Sequence, residues 1–263
     1  MSRDDIYIQL AKTGKPIEDT LVIDSHMHFG EYYLFPVIEY QNLSLLVSTM
    51  DRIGVNVGVI SSLPACLGGK QKEGNDFVIK AIKKYPRRFI GSIGINPHYS
   101  DLLRPELERC FQAGMRAIKI HSKIGLPYSH KNYKPVYGFA DEKNLPILAH
   151  TWGKEELGCL EPRFKKYPKL KWLLAHTGSN DLTEYVRLAK KYNNVFLEIA
   201  LSSSPRGLIE YLVSEGLENK ILFGSDCYFI NLAQQIGRVM FAKISLRIKE
   251  KILGKNAQKI FRI

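Results

Sequence analysis

Residues 21–30 read LVIDSHMHFG: an aliphatic run that closes on two histidines two positions apart. Apolar side chains fall on both parities of the run, the mark of a strand covered on both faces, as in a parallel sheet layered with helices. Working outward, seven further runs share that character: VNVGVISSL from Val55, FIGSIGINP from Phe89, MRAIKIHS from Met115, PILAHTW from Pro146, KWLLAHTG from Lys171, VFLEIALS from Val195 and ILFGSDCY from Ile221. The first residues of these eight runs lie 24 to 34 positions apart. Segments with helical spacing and terminal breakers sit between them, at residues 44–54, 75–86, 105–114, 179–192 and 204–216. Eight strand-then-helix units predict one (β/α)8 TIM barrel of the α/β class over residues 20–263, with residues 1–19 an N-terminal extension carrying a short helix. A doubly wound open sheet is the alternative, because periodicity does not show closure.

Composition agrees with one large folded domain. The chain has 263 residues, 45% hydrophobic and 24% charged, which excludes disordered, collagenous and disulfide-stapled classes. Cys66, Cys110, Cys159 and Cys227 show no C-x-x-C spacing, as expected of reduced thiols in a cytoplasmic protein. There is no signal-peptide pattern and no run near the ~20 apolar residues that span a bilayer, so no membrane partner is expected. The formal net charge of +12 admits an acidic partner. However, residues 70–88 hold seven Lys or Arg against Glu73 and Asp76, and residues 243–263 hold seven against Glu250. Both stretches belong to the outer layer of a barrel, which reads as solvated exterior or a subunit contact, with a homodimer possible. A nucleic-acid-binding barrel is weighed as another class and set aside for want of a basic motif interleaved with aromatics.

Five of the seven histidines fall at the C-terminal ends of predicted strands: His26 and His28 on the first, His121 on the fourth, His150 on the fifth and His176 on the sixth. Asp226 holds the matching place on the eighth. In a barrel this edge collects catalytic residues. Residues two apart on a strand share a face, so His26 and His28 point together, as do Lys119 and His121. Those two imidazoles, a third from His150 and the Asp226 carboxylate make a three-nitrogen, one-oxygen set suited to a divalent first-row metal. A catalytically silent metal-binding barrel is the bland alternative.

With these motifs in place, the chain resembles the amidohydrolase superfamily, in the branch that includes aminocarboxymuconate semialdehyde decarboxylase, resorcylate decarboxylases and certain lactone hydrolases. The resemblance rests on IDSHMHFG, GMRAIKIHS, NLPILAHTWG, LLAHTG, ILFGSDCY and the terminal ILGKNAQKIFRI, and covers nearly the whole chain. It implies one metal, expected to be zinc, on His26, His28, His150 and Asp226, with Asp226 and His176 catalytic. It also implies hydrolysis of a small ester, lactone or amide by metal-activated water, with non-oxidative decarboxylation of an aromatic or unsaturated acid as the alternative. The small-molecule substrate would meet His121, Trp152, Tyr228 and Arg206, with Phe29 and Tyr32 as further walls. Other branches of the superfamily carry a carboxylated lysine on the fourth strand that bridges two metals; with one metal here, Lys119 is expected instead to pair with a barrel carboxylate such as Asp24 or Glu198. The run departs from the family pattern after Asp226, where Cys227, Tyr228 and Phe229 stand in place of an aromatic residue and proline.

Overall fold

The computed structural model describes residues 4–30, 42–203 and 205–263. Eight parallel strands follow one another in chain order around a single sheet. They are β1 (Ile23–Phe29), β2 (Val57–Ser62), β3 (Phe89–Gly94), β4 (Ala117–Ile120), β5 (Pro146–Ala149), β6 (Lys171–Leu174), β7 (Val195–Glu198) and β8 (Ile221–Leu222), and each lies inside one of the eight apolar runs. Closure comes from the segment after β8. The Ser25 N–H donates to the Phe223 carbonyl (3.0 Å), the Asp226 N–H to the His26 carbonyl (2.7 Å) and the His28 N–H to the Cys227 carbonyl (2.5 Å). These bonds carry the sheet from the eighth strand back to the first, so the barrel replaces the open-sheet alternative.

Helices fill the connections. The N-terminal extension contains α1 (Asp4–Thr13), whose Tyr7 hydroxyl meets Thr20 Oγ1 at 2.7 Å. There follow α2 (Leu43–Ile53), α3 (Leu63–Cys66), α4 (Gln71–Lys84), α5 (Leu103–Gln112), α6 (Lys134–Lys143), α7 (Lys154–Lys166), α8 (Leu182–Lys191), α9 (Leu208–Ser214), α10 (Leu232–Met240), α11 (Leu246–Glu250) and α12 (Asn256–Phe261). The α2 helix shows how the sequence sets such a unit. Asn42 Oδ1 accepts the Ser44 and Leu45 N–H groups at its start, and Gly54, at φ 92°, ends it in the left-handed conformation glycine adopts without strain. The two basic stretches fall on α4 and on the C-terminal helices, in the outer layer.

Two apolar clusters form the core. The larger lies between sheet and helices, while Ile23, Val59, Ala117, Leu148, Leu173 and Leu222 from six strands pack with Ile260 and Phe261 of α12 in the smaller. With apolar layers filling the barrel, polar side chains are left to its C-terminal edge. Among the described residues no helix is long and apolar enough to cross a membrane.

Candidate metal centre

The histidine pair of β1 is buried where the barrel closes. His26 Nε2 lies 3.1 Å from His28 Nε2, Asp226 Oδ1 is 3.3 Å from the first nitrogen and 3.0 Å from the second. Ligand atoms held about 2.0–2.2 Å from one ion stand roughly 3.0–3.5 Å from one another. The three side chains therefore have the chemistry and the spacing of donors that share a divalent metal. Backbone placement is part of the device. Asp226 has φ 57°, a left-handed conformation that costs a non-glycine residue about 1 kcal/mol, and its N–H is held by the His26 carbonyl.

Carboxylates behind the trio fix its protons. Glu198, at the end of β7, brings Oε2 within 2.9 Å of His26 Nδ1. In its ionised form Glu198 can only accept, which puts the His26 proton on Nδ1 and turns the Nε2 lone pair to the other ligands. Gly224 makes room for this contact: a Cβ there would press on the Glu198 carboxylate and stand 2.9 Å from His26 Cβ. Asp24 Oδ1 accepts the N–H groups of His26 and Ser225, both at 3.0 Å, tying β1 to the Asp226 segment. Ser61 Oγ lies 3.0 Å from His28 Nδ1 and plays the corresponding part for the second histidine.

Lys119 departs from its expected partner. Its side chain is fully buried, and Nζ lies 2.8 Å from His26 Nε2, with no ion pair to Asp24 or Glu198 among the described residues. Glu198 turns Oε2 to His26 Nδ1 and Oε1 to the Ala200 N–H, and the Lys119 amine is directed to His26 instead of to Asp24.

His150 and His176 form a neighbouring pair. His176 Nδ1 lies 2.9 Å from the Ala200 carbonyl, so that nitrogen carries the proton and Nε2 is left as acceptor for His150 Nδ1 at 3.1 Å. His150 thus keeps the lone pair on its Nε2. The set of three mutually close donors contains His26, His28 and Asp226 without His150, while a second set joins His26, His176 and Glu198. His121 stacks on His150 with centroids 3.8 Å apart, and its Nδ1 accepts the Lys123 N–H at 3.2 Å. Its proton therefore sits on Nε2, making that edge a hydrogen-bond donor.

Burial sets the charges. It holds the imidazoles of His26, His28, His121 and His150 below their ordinary range, so all four stay neutral at pH 7, the form that binds metals. Burial alone would raise Asp226, but a hydrogen bond from His28 and the neighbouring rings of His26 and His176 hold the carboxyl well below the usual range. Burial pushes Glu198 and Asp24 up to about 7.

The other expected contacts are dispersed. Trp152 stacks near His150, Phe29 is buried, and Phe229 meets His28 edge-on at 5.4 Å, an aromatic contact absent from the sequence reading. Tyr228 lines a cavity of about 690 Å³ shared with α1, α2 and α10. Arg206 is exposed on a separate cleft of about 490 Å³ with Arg238 and Lys243, whose lining includes none of the histidines. Tyr32 lies outside the described residues. His98 and His130 serve loops: the first reaches the Ile124 carbonyl, the second caps Asn132. Glu198 entered the sequence reading only as a partner for Lys119, yet an acid inside the apolar run VFLEIALS was the signal for its role.

Comparisons with known proteins agree with this architecture. The chain is 22% identical over 282 residues to gamma-resorcylate decarboxylase of Polaromonas sp. (strain JS666 / ATCC BAA-500), covering 82% of this chain and 86% of that protein. It superposes on the crystal structure of the dihydroxybenzoic acid decarboxylase of Polaromonas sp. JS666, which holds manganese and 2-nitroresorcinol, with a TM-score of 0.75 at 19% identity over 94% and 97% of the two chains. The manganese-bound 5-carboxyvanillate decarboxylase of Novosphingobium aromaticivorans DSM 12444 matches with a TM-score of 0.73 at 16% identity over 95% and 99%. The family model described as amidohydrolase matches residues 23–263, from the first strand to the last residue, and the chain belongs to that family of metal-dependent enzymes.

Proposed function

We propose that this protein is a non-oxidative, metal-dependent decarboxylase of a small aromatic acid. The observation that carries the reading is the likeness over most of the chain to gamma-resorcylate decarboxylase. It moves decarboxylation, the alternative at the level of sequence, ahead of hydrolysis. The metal is a divalent ion, with manganese, the ion of the structural relatives, preferred over the zinc expected from the motifs.

A divalent ion on His26, His28 and Asp226, with His150 as a further ligand through its Nε2 lone pair, would supply positive charge for the acid's oxygens and for the electron density left when carbon dioxide departs. In the reaction the bond from ring carbon to carboxylate breaks, its electron pair stays on the ring, and a proton must reach that carbon. Asp226 is ionised, so it first accepts a proton from a substrate hydroxyl and then returns it to the ring carbon. The His150–His176 pair lies beside this path, with one proton held between His150 Nδ1 and His176 Nε2. His121 offers its Nε2–H to an oxygen of the acid. Hydrolysis remains the second reading, because an ionised Asp226 also suits removal of a proton from water.

Carbon dioxide release from 2,6-dihydroxybenzoate and 5-carboxyvanillate, set against acid release from lactones and amides, separates the two with manganese-loaded and zinc-loaded protein. Decarboxylation without ester or amide turnover is expected. Acid release alone would establish hydrolysis instead.

A further inference from the structure

The rings of His121, His150 and Trp152 form one nearly parallel series. His121 and His150 have centroids 3.8 Å apart at 15°, and His150 and Trp152 are 6.0 Å apart at 6°. His176 meets the indole across this direction, at 5.4 Å and 61°. Two imidazoles therefore set the plane of Trp152, and Asn180 Nδ2 fixes its main chain by donating to the Trp152 carbonyl at 3.0 Å. Despite this support Trp152 is 38% exposed, whereas Trp172, the other tryptophan of the chain, is fully buried among aromatic residues. An indole that served only packing would remove that apolar face from water. Here a large flat surface is held rigid and left open beside the histidines of the candidate centre.

We propose that Trp152 is the platform on which the ring of an aromatic acid lies, so that the site selects a planar ring over a puckered one bearing the same carboxylate. The proposal takes its ligand class from the decarboxylase reading and does not depend on turnover. A ring laid on the indole extends the existing series by one member, in the offset parallel arrangement aromatic pairs favour, at centroid separations of roughly 4.5–7 Å. A saturated chair touches the same surface with fewer atoms and lacks the complementary π-face. The competing role for Trp152 is structural, as packing that keeps His150 and His176 in place. That role predicts an equal effect on every ligand.

Equilibrium binding to manganese-loaded protein tests this, with benzoate and cyclohexanecarboxylate as probes, affinities from calorimetry and indole fluorescence as a second signal. Benzoate is expected to quench the wild-type emission and to bind about three- to ten-fold more tightly than cyclohexanecarboxylate. Trp152→Leu should remove that preference by weakening benzoate far more than cyclohexanecarboxylate, with the metal content unchanged, and Trp152→Phe should retain most of it. Equal wild-type affinity for the two acids, no binding of either, or a Trp152→Leu protein that weakens both alike would overturn the platform. A ring preference without carbon dioxide release from 2,6-dihydroxybenzoate would leave the platform standing and remove the decarboxylase reading. Release without the preference would do the reverse.

Discussion

Glu198 receives the Nδ1 proton of His26 across 2.9 Å, and this contact turns the Nε2 lone pair of His26 toward His28 and Asp226. A carboxylate at the end of β7 thereby decides what a histidine on β1 presents. Glu198→Gln removes the negative charge and allows an amide N–H to face Nδ1, which would favour the wrong tautomer. Metal affinity is expected to fall about 10- to 100-fold with the fold retained. Titration with manganese, with circular dichroism as the control, checks it.

Lys119 places its amine 2.8 Å from the same Nε2 atom. Burial lowers the pKa of the Lys119 amine, and whatever positive charge it keeps opposes a divalent cation, so Lys119→Met should bind manganese at least as tightly as the parent chain. Loss of the metal in this variant would show that the lysine is itself part of the ligand set.

His121 is held as a donor by the Lys123 N–H at its Nδ1 and lies flat on His150. Replacing it by Phe keeps a ring against His150 and deletes the donor. A hydrogen bond to a charged group contributes about 1.5–3 kcal/mol, so the KM for the acid should rise on the order of ten-fold or more. An unchanged KM would place His121 outside the substrate contacts.

A further prediction concerns stability. Glu106 accepts from Asn75 Nδ2 at 2.9 Å and, through both oxygens, from Arg109 at 2.8 Å, while Asn75 bonds the backbone of Gly94 at the end of β3. Burial would raise its pKa, but Arg109, Asn75 and Cys110 together hold it below the ordinary carboxyl range. A depressed carboxyl contributes stability that is complete above its unfolded pKa of about 4.3 and fades as the pH falls through the lower folded value. Glu106→Gln should therefore cost about 1–2 kcal/mol at pH 7 and progressively less below pH 4, measured by denaturant unfolding across that range.

Much of the fold was legible because the evidence for it is local. LVIDSHMHFG and its seven counterparts carry apolar residues on both parities, and each contains one of the eight strands. The shared face of His26 and His28 followed from the two-residue repeat of a strand, and the structure brings their Nε2 atoms to 3.1 Å. What stayed hidden depends on directions that spacing does not encode. Lys119 and Glu198 were both in view, but which of them would meet His26, and at which nitrogen, is decided by packing across the barrel. That the His150 Nδ1 turns to His176, leaving the Nε2 lone pair of His150 free, is likewise set by packing that spacing does not encode. Arg206 was expected at the substrate pocket, and the connection after β7 places it in an outer cleft beside α10.

One divalent metal is expected on His26, His28 and Asp226. Equilibrium dialysis against manganese, read as metal bound per chain, tests it most directly. The account predicts about one ion per wild-type chain and almost none for His26→Ala/His28→Ala. A wild-type chain that takes up no manganese, or a double variant that retains a full equivalent, would contradict it.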